Sequence, residues 1–364
     1  MRFRCPAGTT AARADEALSL AIGLGDRRLT AQARVRRLEV LTTNGAIVNP
    51  SDDVRVETDL AIADAEFSGD PRALWEAWTT RSVYTYLLGD LETSIVEQRS
   101  ALEAVGKLDD DRLMLETQAG LLTMALVGSS PATEVVAIAE DLRRRAATFP
   151  PTRGESLRLA APAEAMLGRF DDARRHIAES LAIGEDLRRP WDVMHILLDS
   201  SWVERLAGDL AAAERACRRA LEIVDRLGDR TLHAFGAARL AVVLVAVGRF
   251  EEALPFIASG ESVPGITNRS RMIGARARIR ASTGDVDARE DLARMLEPLA
   301  TTGFMNVKTD ALAIVTPRRA TWQRRSTCAS EKRTSFSPSR CAPASGRSAS
   351  RGMCPRSAAG GLSR

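Results

Sequence analysis

The sequence predicts an all-α protein, an α-solenoid of about seven antiparallel helix hairpins that repeat about every 40 residues. Three observations carry that expectation. A short glycine-centred phrase recurs at nearly constant spacing. Small residues recur at fixed offsets from it. The composition is rich in Ala, Leu, Arg and Glu, which favour helix, and only 4% aromatic, which suits helices packed through small side chains.

The phrase reads Leu88-Gly89-Asp90-Leu91, Leu167-Gly168-Arg169-Phe170, Ala207-Gly208-Asp209-Leu210, Val247-Gly248-Arg249-Phe250 and Thr283-Gly284-Asp285-Val286. Val127-Gly128 before Ser129 is a weaker copy. The glycines at 89, 128, 168, 208, 248 and 284 are therefore spaced by 39, 40, 40, 40 and 36. A fixed period of this length is the mark of a repeat array. Each glycine ends one apolar-periodic segment and precedes another. It can take the left-handed conformation that closes a helix, and the Asp after it suits the start of the next. Each unit reads as helix A, tight turn, helix B.

Seven residues before the glycine stand Ser82, Ala161, Ser201, Ala241 and Ala277; five after it stand Ser94, Ala173, Ala213 and Ala253. Ala101-Leu102, Ser180-Leu181 and Ala220-Leu221 follow at twelve and thirteen. These are the expected points of close backbone approach, where a long side chain costs roughly 1–3 kcal/mol or more. The Ala-Leu end of helix B is expected against the next A helix.

Gly208-Asp-Leu-Ala-Ala-Ala213 with Ala220-Leu221 resembles the tetratricopeptide repeat. The period near 40, longer than the standard 34, is similar to that of divergent repeats C-terminal to the ATPase module of bacterial regulators. Those are LuxR-type and antibiotic-regulator-type transcription factors and adenylate/guanylate cyclase–AAA ATPase proteins. Leu24-Gly25-Asp26-Arg27-Arg28-Leu29, Leu227-Gly228-Asp229-Arg230 and Thr302-Gly303-Phe304-Met305-Asn306-Val307 fit the same group. The resemblance covers about residues 11–315. It implies a tetratricopeptide-like fold and is silent on substrate.

Three segments are expected: a disordered N-terminus over 1–10, the array over 11–315, and a basic low-complexity tail over 316–364. The tail carries eleven Lys or Arg and one acid, Glu331. That leaves 40 basic against 47 acidic residues in 1–315, so the array is near −7 and the tail near +10, although the whole chain is +3. Two readings of the tail stand: a disordered basic extension, or the product of a frameshift in a GC-rich gene. The second is preferred, because codons for Gly352-Met353-Cys354-Pro355-Arg356 read from the third base can encode Asp-Val-Pro-Ala. Sequencing the gene decides between them. With no nucleotide-binding module ahead of the repeats, the chain reads as an N-terminally truncated or separately encoded repeat region.

The sequence lacks the usual catalytic and metal-binding signatures. Gly106-Lys107 is followed by Leu108 and lacks the upstream Gly of a phosphate loop. Gly-x-Ser-x-Gly is absent. His176, His195 and His233 lack metal-ligand spacing. Asp52-Asp53, Asp109-Asp110-Asp111 and Asp171-Asp172 read as helix starts. Arg143-Arg144-Arg145 before Pro150-Pro151 reads as a helix end, and Cys217 as a small packed residue. No run reaches the roughly 18 apolar residues of a membrane span. Cys5 and Cys217 stand apart, without a disulfide framework. The expected location is cytoplasmic. An acidic, aromatic-poor array does not suit nucleic acid.

What remains is the extended concave face that stacked hairpins form. By offset from the glycines, Tyr86, Glu155, Arg158, His195, Trp202 and Arg205 are expected to line it. Trp202 and Arg205 are of the types favoured as anchors; the competing role for Trp202 is to fill the hairpin interface. The expectation is a non-catalytic scaffold without cofactor that holds a peptide, a partner domain or a small effector, as the detached repeat arm of a signalling or transcriptional regulator. The alternative is a truncated cyclase-linked or LuxR-type regulator lacking its catalytic and nucleotide-binding domains.

Overall fold

A computed structural model describes residues 7–43, 52–261, 266–284, 288, 290, 293 and 294. Fourteen helices lie among them. They are α1 (Ala7–Leu24), α2 (Arg27–Thr43), α3 (Asp52–Ser68), α4 (Pro71–Leu88), α5 (Leu91–Val105), α6 (Asp111–Val127) and α7 (Ala132–Arg145). Then follow α8 (Pro150–Met166), α9 (Phe170–Asp186), α10 (Pro190–Ala207), α11 (Leu210–Leu227), α12 (Arg230–Ala246), α13 (Phe250–Glu261) and α14 (Ile266–Ser282). The described residues contain no strand. The chain divides into two compact units, Met1–Pro317 and Arg318–Arg364. The second, with the predicted basic tail and the 302–307 phrase, lies outside the described residues.

The expected α-solenoid is what forms. Each helix packs on its successor, and in addition α2 touches α4, α6 touches α8, and α8, α10, α12 and α14 touch in turn. The even-numbered helices thus make a row, with the odd-numbered helices packed behind it.

The glycine ladder closes the turns as the sequence predicts. Gly89, Gly168, Gly208, Gly248 and Gly284 have φ between 77° and 93°. Asp90 and Asp209 then cap the next helix, accepting from the amides of Thr93 and Ala212 at 3.0 and 2.9 Å. Gly128 differs: its φ is −82°, because Ser129, Ser130 and Pro131 follow it in a more extended connection to α7. The same Gly-Asp device also joins one hairpin to the next. Gly25, Gly69 and Gly228 have φ of 68°, and Asp26, Asp70 and Asp229 accept from the following helix amides. The phrases around Gly25 and Gly228 therefore have a local structural role. A Cβ at Gly208 would meet nothing within 4 Å, so its cost is conformational alone. Gly208→Ala is expected to lower stability by about 1 kcal/mol in a urea titration.

The small residues sit where backbones meet. Ser82, Ala161, Ser201, Ala241, Ser94, Ala173, Ala213 and Ala253 are all at most 2% exposed. Ser82 and Ser94 each donate to the other's carbonyl, at 3.1 and 2.9 Å, which brings α4 and α5 into near contact. Leu221 packs on the next even helix as expected; a Cβ at Gly236 would stand 2.7 Å from its Cδ2. Ser180 departs from that pattern. Its hydroxyl donates back to Gly154 O of its own hairpin at 2.7 Å.

Candidate functional site

The six sequence-predicted residues all lie on even-numbered helices: Tyr86 on α4, Glu155 and Arg158 on α8, and His195, Trp202 and Arg205 on α10. One charged cluster joins them. Arg158 donates Nε to Glu155 at 2.9 Å, one helical turn away, and pairs with Asp199 of α10. Arg239 of α12 approaches the other Asp199 oxygen at 3.7 Å. Its guanidinium lies over the Trp202 ring, 5.4 Å from the centroid. Arg205, Arg239 and Arg271 of α14 line one recess with Ser201, Val242 and Val243.

The electrostatics bind the set together. Burial raises the Tyr86 hydroxyl above its ordinary range, and Arg271, Arg239 and Arg158 oppose that shift. α4 is thereby within the field of α8, α12 and α14. Burial also opposes charge on Glu155, yet the adjacent Arg158 outweighs it and holds the carboxyl low. Arg158 is disfavoured by burial but raised overall by Glu155 and Asp199. Burial first, then Arg239 and Arg205, push Arg271 well below the usual guanidinium range.

His195 is the titrating member. Its ring lies 5.1 Å from that of Trp191, tilted by 59°. Burial first, then Arg158, lower its pKa to about 4, against Asp199 and Glu155. An unfolded imidazole titrates near 6.5. Between these values the unfolded chain binds a proton that the folded chain refuses. His195 therefore takes stability away as pH falls from about 6.5 towards 4, by up to roughly 3 kcal/mol. Urea titrations at pH 7 and 4.5 are expected to differ by less in His195→Gln than in the wild type.

Trp202 is 4% exposed and packs among Leu115, Leu122 and Leu159. It therefore fills the interface between even-numbered helices, and Arg239 covers its ring face. Sequence reasoning missed Asp199, Arg239 and Arg271. A signal existed for two of them: Asp199 and Arg239 both stand nine residues before a turn glycine, Gly208 and Gly248. They pair across one full repeat.

The remaining candidates have structural partners. His176 Nδ1 lies 2.9 Å from Glu164, and His233 Nδ1 lies 3.1 Å from Ser259 Oγ. Asp110 caps α6, and Asp171 and Asp172 stand in the first turn of α9. Arg143, Arg144 and Arg145 form the last turn of α7, where the latter two pair with Asp141. Cys217 is fully buried, and burial pushes its thiol up, away from reactivity. Among the described residues, no group of three or more His, Cys, Asp or Glu is placed to hold a metal, and no helix is long and apolar enough to cross a membrane.

No family model matches the sequence, and no curated protein matches it. Solved structures do. A Rap protein complexed with competence and sporulation factor is similar over 90% of this chain and 96% of its own, at 12% identity and a TM-score of 0.61. A tetratricopeptide repeat protein from Parabacteroides merdae is similar over 84% and 99%, at 13% identity and a TM-score of 0.43. Aspartyl phosphate phosphatase F from Bacillus subtilis is similar over 86% and 95%, at 10% identity and a TM-score of 0.46. The first of these establishes the tetratricopeptide-like helical-repeat fold.

Proposed function

We propose that the chain is a non-catalytic scaffold that holds a protein or peptide segment along the row of even-numbered helices. One observation carries the reading. Five of these helices, α4, α8, α10, α12 and α14, direct Tyr86, Glu155, Arg158, His195, Asp199, Arg205, Arg239 and Arg271 into one electrostatic cluster. A purely structural array needs only small and apolar residues between its helices. Buried charges are costly, and Tyr and Arg are favoured anchors in interfaces. The fold neighbour crystallised with competence and sporulation factor is compatible with such a role. The finer reading is a regulatory arm for a signalling ATPase or transcriptional regulator; it rests on the 40-residue period and the Gly-Asp phrases that resemble those proteins.

The test is a display selection from a random peptide library on the full chain. Enriched peptides are expected to lose binding to His195→Ala and Arg205→Ala. The absence of enrichment, or equal binding to both variants, would overturn the proposal. So would saturable nucleotide binding by the purified chain, which favours an ATP-dependent enzyme reading.

A further inference from the structure

Apart from the charged cluster, a recess of about 450 Å³ opens between α9, α10 and α11. Its floor is apolar, formed by Gly184, Pro190, Val193, Ile223 and Leu227. Glycine at 184 lets the two helices close there: a Cβ would stand 3.2 Å from Val193 Cγ2. The rim is cationic, with Arg188, Arg189, Arg219 and Arg226 against one lining carboxylate, Glu185.

Two of the four cations are neutralised. Glu185 pairs with Arg219, and Arg189 pairs with Asp192 at 2.7 Å. Arg226 donates Nε only to the Glu222 carbonyl, at 3.0 Å, and is exposed. Arg188 is exposed, and its side chain has no hydrogen bond or ion pair among the described residues.

Arg188 is also the one non-glycine residue with positive φ among the described residues, at 51°. Forty residues later the equivalent turn reads Gly228-Asp229, with the glycine at φ 68° and the aspartate capping α12. Here Arg188-Arg189 replaces both. The chain accepts backbone strain at a turn where its own repeat otherwise uses glycine, and in doing so sets a free guanidinium at the edge of an apolar recess.

We propose that this recess is a binding site for a small amphiphilic organic anion, an apolar body carrying a carboxylate or similar head. The body would lie on Val193, Ile223 and Leu227, and the head between Arg188 and Arg226. The volume falls within the roughly 300–1,000 Å³ of small-ligand pockets. A pocket of that size with uncompensated cations at one edge suits such a molecule better than a neutral or cationic one.

Octanoate, added to the full chain below its micellar concentration and followed by titration calorimetry, tests the site. One saturable site is expected, and octylammonium, with the same tail and opposite charge, is expected not to compete. Arg188→Gly should weaken octanoate about 3- to 10-fold, and Arg188→Gly with Arg226→Gln by more than about tenfold. Arg188→Gly should melt at or above the wild-type temperature, since it removes strain; a purely structural arginine would give the opposite. Arg226→Gln alone, at an exposed position, supplies a second variant whose fold is not at stake. Absent octanoate binding, affinity unchanged in these variants, equal competition by octylammonium, or binding of an acidic peptide without octanoate would each overturn the proposal.

Discussion

Ala213→Arg is expected to unfold the central hairpins, lowering stability by more than about 4 kcal/mol. Ala213 is fully buried in α11 and belongs to a cluster with Cys217, Ala241, Val242, Leu244 and Ala253. It stands five residues after Gly208, as Ser201 stands seven before it, and both are at most 2% exposed. An arginine there must either separate α10 from α11 or bury an unpaired charge. Both routes are destabilising beyond the ordinary range of single substitutions. Because repeats depend on their neighbours, the loss should spread to α8–α9 and α12–α13. Circular dichroism melts and hydrogen exchange would register it. An unchanged melting curve would refute the helix register.

The second large effect concerns Asp199. It is 7% exposed and is the counter-charge shared by Arg158 and Arg239 from the helices on either side. Asp199→Leu leaves both guanidinium groups in a buried site without their common counter-charge. Breaking such a network by removing one partner costs about 3–5 kcal/mol. Glu155 still serves Arg158, so the lower end of that range is expected in denaturant titrations. Asp199→Asn keeps an acceptor at the position and should cost less. If Asp199→Leu proves neutral, the cluster contributes nothing to holding α8, α10 and α12 together.

These two residues divide what the sequence disclosed from what it did not. Ala213 was legible because its role is periodic. A glycine, a capping Asp and a small residue five positions on recur with the helix geometry, and each is required locally by backbone conformation or close approach. Asp199 was not singled out because its role depends on which charges from neighbouring repeats fall within a few ångströms. Offsets from a turn place a residue on a face but do not say what occupies the space opposite. Trp202 illustrates the same limit: its offset placed it on the inner face, and only packing against Leu115, Leu122 and Leu159 shows it filling the interface. Arg188 is subtler. It is a departure from the period, visible against Gly228 once the turn between hairpins is known to need a positive φ. The glycine ladder within hairpins drew attention away from that second ladder between them.

The central claim is that the even-numbered helices hold a partner segment. Hydrogen exchange of the full chain, with and without a peptide enriched on it, tests this most directly. Added protection concentrated on α8, α10 and α12, around His195 and Arg205, is the expected result. Protection confined to the odd-numbered helices, or none at saturating peptide, would contradict it.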